Sequence, residues 1–260
     1  MSIRTVKLHR VDQRRGAAGE VDDEVAVDEA VCIFVNDEHY RTLIATPEMK
    51  RELVVGHLIG EGAIRTVEEV SKLEISPPKV NVVTRGDVDL DLLRWSRREL
   101  ITTACGPPTA ARIEGQLGAL RVSSDVGVEA EKVWEMAAEL NRRSLIFRRT
   151  GGTHSAMLCS LDGGVLAFAE DVGRHNAVDK VVGAGSLGGH DLGRCVLVCS
   201  GRQSSEIVLK AAASGIPVVA AVAGPLESGI RVAEAAGITL ICFVRGRRMN
   251  VYTHPQRLVA

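Results

Sequence analysis

The stretch RCVLVCSGRQSSEIVLKAAASGIPVVAAV, residues 194–222, determines the expected fold. It begins and ends with short, almost wholly apolar runs, and a third such run, TLICFV, follows at 239–244. Apolar runs of this length are typical of parallel strands that are covered on both faces. Helical segments at 205–213 and 227–236, each closed by a glycine, separate the runs. We therefore predict an α/β fold built on a right-handed parallel sheet.

Polar turns follow the predicted strands, at 200–205, 223–225 and 245–248. Parallel strands point the same way, so the turns are expected at the carboxyl edge of the sheet, where open α/β sheets bind ligands. Ser204 stands at a helix start whose amides can hold an oxyanion, and Arg202 adds a fixed positive charge. The last turn is a compact cationic group formed by Arg245, Arg247 and Arg248 around Gly246. These turns predict a phosphorylated small ligand, and the alternative is that the arginines only solvate loops.

Two further segments are rich in glycine, histidine and charged residues. TGGTHSA (150–156) has glycines that let backbone N–H groups approach an anion, and EDVGRHNAVDK (170–180) follows a predicted strand. The sequence leaves open whether His154, Arg174 and His175 contact a ligand or only support the turns. A nucleotide-hydrolysing enzyme is a weaker alternative, because no clear base and metal ligands can be assembled from these segments.

One cysteine stands in a segment where a thiol could be used in chemistry. Cys105 lies in RELITTACGPPT (98–109) and is followed by Gly106 and two prolines. Consecutive prolines cannot continue a helix or a central strand, so we expect the sulfur on an irregular, partly exposed loop. Neighbouring arginines favour the thiolate, which is the nucleophilic form. The alternative is an ordinary buried cysteine.

Composition narrows the class of protein. The chain has 260 residues, a net charge of −1 and 3% aromatic residues, which argues against nucleic-acid binding. Its 6 cysteines are scattered, so we expect free thiols and no tightly held metal. The N-terminus is charged throughout, and no apolar run is long enough to span a bilayer. We expect a cytoplasmic protein with no membrane partner.

We expect a mobile N-terminal segment (1–20), a small α+β domain (21–95) and a larger α/β domain (96–260) that includes the Cys105 loop. In the small domain, Asn36-Asp37 marks a hairpin turn and Thr46 the N-cap of a helix. In the larger domain, an amphipathic helix at 129–141 is expected to pack one apolar stripe on the core.

Long motifs in a fixed order carry a family resemblance. They are TGGTHSA (150–156), EDVGRHNAVDKVVG (170–183), SGRQSSEIVLKAAASGIPVVA (200–220) and FVRGRRMNVYT (243–253). With these motifs the chain resembles the FdhD family, the formate dehydrogenase accessory sulfurtransferases. The N-terminal half also fits, through VNDEHY, TPEMKRELVVGHLIGEGAI and the cysteine segment. The resemblance covers nearly the whole chain.

The resemblance implies a fold and an activity. It implies a cytidine-deaminase-like α/β domain at 96–260, a small α+β N-terminal domain and a homodimer. It also implies a sulfurtransferase, or sulfur carrier, that accepts sulfur from a cysteine desulfurase as a cysteine persulfide. The acceptor of that sulfur would be the bound substrate Mo-bis(molybdopterin guanine dinucleotide), a molybdenum cofactor required for formate dehydrogenase activity.

The resemblance also assigns residues. Cys105 matches the persulfide-bearing cysteine of the family's Cys-x-x-Cys loop, whereas Pro108 stands at the second cysteine position and removes a resolving thiol. The cofactor-binding segment of the family matches Phe243, Val244, Arg245, Gly246, Arg247 and Arg248, and we expect Arg202 and Ser204 to add to it. The missing second cysteine favours one alternative, a non-catalytic chaperone that binds the molybdenum cofactor and delivers it without sulfur chemistry.

Overall fold

The computed structural model describes residues 1–12, 17–90 and 120–259 of the chain. Helices and strands alternate over much of this part, so the expected mixed α/β class is confirmed. Among the described residues, the strands form a two-stranded ribbon, a four-stranded sheet, a six-stranded sheet and one short strand pair. No described helix is both long enough and apolar enough to cross a membrane.

The N-terminal ribbon consists of β1 (Ile3–Asp12) and β2 (Ala17–Ala26), which pair antiparallel. Most charges of β1 are basic and those of β2 are acidic, and Lys7 lies opposite Asp22. Opposite charges on facing positions stabilise an antiparallel pair. Residues 3–12 thus form a regular strand, which the sequence does not predict, and the expected mobility of residues 1–20 stays a prediction. The pairing includes facing opposite charges, a pattern that hydrophobic periodicity does not reveal.

The four-stranded sheet has the order β4-β3-β6-β5. Its strands are β3 (Glu29–Val35), β4 (Glu38–Ala45), β5 (Val70–Ser76) and β6 (Lys79–Thr84). The predicted hairpin turn between β3 and β4 is confirmed, with Asn36 at φ 51° and Asp37 at φ 64°. Asparagine and aspartate tolerate this left-handed conformation, which matches the twist of the flanking strands.

Helix α1 (Lys50–Gly60) begins later than the sequence predicts. Met49, with φ 60°, occupies the cap position. The hydroxyl of Thr46 instead donates to Asp171 Oδ2 over 3.0 Å and accepts from Lys180 Nζ over 2.6 Å. The prediction of Thr46 as N-cap is wrong, because partners more than a hundred residues away in sequence use its hydroxyl.

The six-stranded sheet has the order β13-β12-β11-β10-β8-β9. After the two-residue strand β7 (Val128–Glu129) come β8 (His154–Ser160), β9 (Val165–Asp171), β10 (Cys195–Cys199), β11 (Val218–Ala221), β12 (Thr239–Arg245) and β13 (Arg248–Thr253). Strands β10, β11 and β12 are parallel, as predicted. Strands β8, β9 and β13 join antiparallel, so the sheet is mixed. β7 pairs separately with β14 (Leu258–Val259).

Helices cover both faces of this sheet. They are α2 (Ala130–Arg143), α3 (Leu145–Thr150), α4 (Arg174–Leu187), α5 (Ser205–Ala213) and α6 (Glu227–Ala236). In β10, Leu197 packs into the core formed with α4, α5 and α6, whereas Val198 packs into a second core with Met136 of α2. Covering on both faces explains the continuous apolar runs. The predicted apolar stripe of the helix at 129–141 is confirmed in α2.

The two parts of the chain share one core. Buried residues of α1 and of the four-stranded sheet, such as Leu53 and Ile33, belong to the same hydrophobic cluster as Val181 of α4. Helices α1 and α4 approach so closely at Gly56 and Gly183 that neither position has room for a side chain. The predicted domain boundary at residues 95 and 96 lies outside the described residues, and it stays a prediction, as does the cytidine-deaminase-like topology.

Candidate functional site

The motif segments meet at the carboxyl edge of the six-stranded sheet, defined here as the edge at which β10, β11 and β12 end. β8 is antiparallel to β10, so its first residue, His154, lies at this edge, and Ser200 N donates to Ser155 O over 2.9 Å. β9 returns to the edge and places Asp171 opposite His154. The topology therefore brings together segments that are far apart in sequence.

The turn after β10 exposes Arg202 and buries Ser204 completely. Ser204 is the N-cap residue of α5, but its side chain makes no capping bond, and its Oγ lies 3.5 Å from Glu206 Oε2. Gln203 N donates to Gly224 O over 3.1 Å and ties this turn to the one after β11. The structure thus places Arg202 where a ligand can contact it and Ser204 in the interior of the turn.

The turn after β12 begins with an unusual backbone conformation. Phe243 has φ 55°, and its ring lies against Gly224, where a Cβ would be 2.6 Å from Phe243 Cζ. Such a conformation costs a bulky residue about 1 to 3 kcal/mol and is found preferentially at functional sites. The pairing of β12 with β13 is irregular between Cys242 and Arg245, which is a β-bulge, and Val244 inside it is buried. A bulge bends the strand and changes the direction of its side chains, while Arg245 still pairs with Arg248 of β13.

The cationic part of this turn is on the surface. The exposed residues are Arg245, Gly246, Arg247 and Arg248. Arg245 Nε donates to Val222 O over 3.3 Å, which holds the turn against the end of β11. Gly246 has φ 57°, a conformation that glycine adopts without strain. The predicted binding segment therefore presents its arginines to solvent at the same edge as Arg202.

Side chains whose role the sequence left open surround Gly201 at this edge. A Cβ on Gly201 would lie 3.1 Å from Arg174 Cβ and 3.7 Å from His154 Nδ1. His175 Nε2 is 3.1 Å from Glu206 Oε2. We name His154, Arg174, His175 and Arg202 the basic cluster. Burial, and after it the positive charges of Arg174, His175 and Arg202, lower the pKa of His154.

A buried network fixes the loop that carries Arg174 and His175. Asp171 is fully buried and lies 2.6 Å from Lys180 Nζ. Its carboxylate accepts from Thr46 N over 3.0 Å and from Asn176 Nδ2 over 2.9 Å. The loop is therefore bound both to α4, which follows it, and to the segment before α1.

Most of the polar side chains in 170–180 serve the interior and do not face the surface. The carboxylate of Glu170 accepts from Ile146 N over 2.9 Å and from Phe147 N over 2.8 Å, and so caps the start of α3. Asp179 accepts from His57 Nδ1 over 2.9 Å and from Lys210 Nζ over 2.7 Å. The density of polar residues predicts a site here, but their partners lie on distant segments that a local sequence pattern does not reveal.

The buried position of His57 makes its charge state predictable. Burial, and next the positive charge of Lys210, lower the pKa of His57 to about 4, although the hydrogen bond to Asp179 acts in the opposite direction. His57 is therefore neutral near pH 7 and donates its Nδ1 proton to the Asp179 carboxylate. This network links α1, α4 and α5 beneath the site.

The predicted nucleophile, Cys105, lies outside the described residues. Four of the described cysteines are buried. Burial raises the pKa of Cys159, Cys199 and Cys242 to about 12 and that of Cys195 to about 11. Cys32 is half-buried, and its sulfur accepts a hydrogen bond from Thr42 Oγ1 over 3.6 Å. A thiol with a pKa near 12 is almost wholly protonated at neutral pH and is a poor nucleophile.

The chain is similar over nearly its whole length to proteins of one family. A family model described as the FdhD/NarQ family matches residues 26–259. The chain is 34% identical over 258 residues to the sulfur carrier protein FdhD of Methanothermobacter thermautotrophicus, covering 98% of each chain. It is 37% identical over 264 residues to the protein of the same name from Sulfolobus acidocaldarius, covering 99% of each chain.

A solved structure is also similar over the full length. It is a crystal structure from Desulfotalea psychrophila of a protein described as a formate dehydrogenase accessory protein. The TM-score is 0.80 at 25% sequence identity, and the match covers 100% of both chains. Within residues 1–12, 17–90 and 120–259, no three His, Cys, Asp or Glu side chains are grouped so that they could hold a metal ion.

Proposed function

The chain belongs to the FdhD/NarQ family, and from this premise we propose that it carries sulfur as a persulfide on Cys105. We propose a cysteine desulfurase as the donor and Mo-bis(molybdopterin guanine dinucleotide) as the acceptor, with formate dehydrogenase as the enzyme that receives the sulfurated cofactor. The observation that carries this proposal is the convergence of the Arg202 turn and the Arg245–Arg248 turn at one sheet edge. Planar guanidinium groups suit the phosphates of a dinucleotide.

The choice of Cys105 is supported by the elimination of the four buried thiols, which leaves Cys32 as the other cysteine to be tested. Cys159, Cys195, Cys199 and Cys242 have pKa values of about 11 to 12 because they are buried. Attack on a sulfur atom requires a thiolate, and none of these four thiols supplies one at neutral pH. Cys105 stands before Gly106 and two prolines, in a sequence that favours an irregular loop.

The proposed loading step is a thiol–persulfide exchange. The Cys105 thiolate attacks the outer sulfur of the donor's Cys–S–SH, a new S–S bond forms on Cys105, and the donor cysteine leaves as a thiolate. Release of that sulfur at the sulfide level consumes two electrons. Pro108 replaces the second cysteine of the loop, so we assign these electrons to an external thiol reductant, which leaves as a disulfide.

A second candidate is a non-catalytic chaperone that binds the molybdenum cofactor and delivers it without sulfur chemistry. Pro108 favours this candidate, because the chain lacks the second thiol of the Cys-x-x-Cys loop. Incubation with cysteine and a cysteine desulfurase, followed by mass spectrometry, separates the two. A mass gain of about 32 Da, one sulfur atom, on the peptide containing Cys105 supports the carrier.

Two variants make that experiment decisive. Cys105→Ser is expected to lose the added sulfur and to fail to restore formate dehydrogenase activity in cells that lack this protein. Cys32→Ser, which changes a half-buried cysteine of the four-stranded sheet, is the matched control and is expected to retain both. Sulfur loading and full activity in Cys105→Ser would rule out the persulfide role.

We also propose that the protein acts as a homodimer, as the family resemblance implies, and that it acts in the cytoplasm. A reducing compartment keeps the cysteines free, which a persulfide carrier needs. Light scattering of the purified protein at micromolar concentration tests the oligomeric part, and a mass equal to one chain would contradict it.

A further inference from the structure

A cleft of about 800 Å³ opens far from Arg202 and the Arg245–Arg248 turn. It lies between the end of α1, the end of α5 and the segment that begins at Leu120. Helix α5 begins at the carboxyl edge of the sheet with Ser205 and ends with Ala213, so its 9 residues span about 13 Å between that edge and the cleft. The described residues that line the cleft are all different from those of the proposed cofactor site.

The walls of this cleft are mainly apolar. Their apolar residues come from the end of α1 and the loop after it, from the segment at 120–123 and from the last turn of α5: Ile59, Ile64, Leu120, Val122, Ala212 and Ala213. The two alanines are small, and they leave space that larger side chains would fill. An apolar wall that is open to water gains free energy when an apolar group covers it. The volume is in the range of small-molecule sites, so the cleft suits a ligand with an apolar body.

Two exposed arginines complete the lining, Arg65 from the loop after α1 and Arg121 from the segment at 120–123. Within the described part of the chain, neither guanidinium group forms an ion pair with a carboxylate. The acidic residues nearby have other partners. Glu61 lies 2.9 Å from Lys210 Nζ, and the carboxylate of Glu69 accepts from the backbone N of Arg65 over 2.9 Å. Both guanidinium groups can therefore donate to an anionic ligand.

The backbone around the cleft limits the charge of that anion. Helix α1 ends at Gly60 and α5 at Ala213, and the glycines that follow, Gly62 and Gly215, line the cleft. Helix ends carry partial negative charge and present carbonyl groups. Phosphate sites commonly use helix starts, which present N–H groups. A carboxylate with a single charge therefore fits this cleft better than a phosphate.

We propose that the cleft is a second ligand site, which binds a small organic carboxylate with an apolar body, such as a medium-chain fatty acid. The apolar body lies against Ile59, Ile64 and Ala213, and the carboxylate accepts hydrogen bonds from Arg65 and Arg121. The proposal uses no residue and no step of sulfur transfer. Its failure would leave the proposed function as it stands.

Titration of the full chain with octanoate tests the proposal, by calorimetry and by NMR of protein labelled at the alanine methyl groups. Butyrate keeps the charge on a shorter body, 1-octanol keeps the body without the charge, and octyl phosphate carries a larger charge. We expect octanoate to bind and to shift the methyl signals of Ala212 and Ala213, which line the cleft. Butyrate and 1-octanol should bind about tenfold more weakly or worse, because each loses one kind of contact. Octyl phosphate should bind no more tightly than octanoate.

Variants separate the two kinds of contact. Arg65→Ala and Arg121→Ala should each weaken octanoate about threefold or more and leave the affinity for 1-octanol unchanged. Ala213→Leu places a larger side chain in the cleft and should weaken both octanoate and 1-octanol. Arg51→Ala is the matched control, since it removes an exposed arginine from the first turn of α1, at the other end of that helix. It should leave both affinities within about twofold of the wild type.

Circular dichroism of each variant separates binding from folding. Arg65 and Arg121 are exposed, so their alanine variants keep the test open if Ala213→Leu does not fold. The proposal is overturned if the wild type does not bind octanoate, or if the folded variant that combines Arg65→Ala and Arg121→Ala binds it as tightly as the wild type. Equal affinities for octanoate and 1-octanol would also overturn it, and so would tighter binding of octyl phosphate.

Discussion

The backbone of Gly56 in α1 touches the backbone of Asp179 in α4: a Cβ on Gly56 would lie 1.8 Å from the Asp179 carbonyl oxygen. The contact is reciprocal, because a Cβ on Gly183 would lie 1.9 Å from Glu52 O. The two helices can only reach this separation with glycine at both positions. The crossing places His57 and Asp179 within hydrogen-bonding distance, and it joins the four-stranded sheet to the six-stranded sheet.

We therefore expect Gly56→Ala to reduce the free energy of unfolding by about 3 kcal/mol or more, because the helices must move apart. Urea unfolding followed by circular dichroism measures the loss. Gly86→Ala is the matched control, since a Cβ on Gly86 meets nothing within 4 Å, and it should leave the unfolding midpoint nearly unchanged. Equal stability of the two variants would contradict the close crossing.

Lys180→Met is expected to be strongly destabilising. Lys180 is 1% exposed, and its Nζ lies 2.6 Å from Asp171 Oδ2 and 3.1 Å from Thr46 O. Removing the ammonium leaves a buried carboxylate without its ion-pair partner, which costs about 3 to 5 kcal/mol. Thermal unfolding of Lys180→Met beside Lys132→Met, which breaks a surface ion pair with Glu135, measures the difference. If both variants unfold at the same temperature, the Asp171 network does not hold the loop.

Stability should fall as the pH drops below 6.5, partly through His57. The pKa of His57 is about 4 in the folded protein and 6.5 in the unfolded chain, so the folded state binds fewer protons between these values. Stability from this group is complete above pH 6.5 and is lost as the pH falls to 4, by about 3 kcal/mol in total. Urea unfolding at pH 5.0 and 7.0 should show a smaller difference in His57→Gln than in the wild type. His9→Gln, at an exposed position of the ribbon, should behave like the wild type.

Alkylation should distinguish the cysteines. Cys159, Cys195, Cys199 and Cys242 are buried, with pKa values of about 11 to 12, and we expect them to stay unmodified by iodoacetamide at pH 8 in the folded protein. Cys105 should be the first residue modified. Peptide mass spectrometry before and after addition of urea gives the order. Early modification of the four buried thiols would remove the elimination that supports Cys105.

Local patterns made part of this fold predictable. The parallel strands β10, β11 and β12 follow from apolar runs of strand length, and the hairpin at Asn36 and Asp37 follows from residues that tolerate positive φ. The apolar stripe of α2 repeats at helical spacing. The position of the polar turns at one edge follows from parallel strands alone.

Long-range pairing made the rest unpredictable. Thr46 has the local sequence pattern of an N-cap, but its hydroxyl forms hydrogen bonds with Asp171 and Lys180. The polar residues of 170–180 have the composition of a site, although Glu170 caps α3 and Asp179 contacts His57. In the ribbon, Lys7 of β1 lies opposite Asp22 of β2. In each case the residue's interaction partner lies outside the short stretch of sequence around it, so a local pattern cannot predict the contact.

The crossing at Gly56 and Gly183 has a consequence for engineering. Polypeptides ending at residue 90 and beginning at residue 120 would each carry one side of the shared core. Produced singly, each fragment should aggregate or remain unfolded, whereas co-production should let the two fragments complement each other. Recovery of a folded, non-covalent complex of the two fragments would then show that they had reassembled.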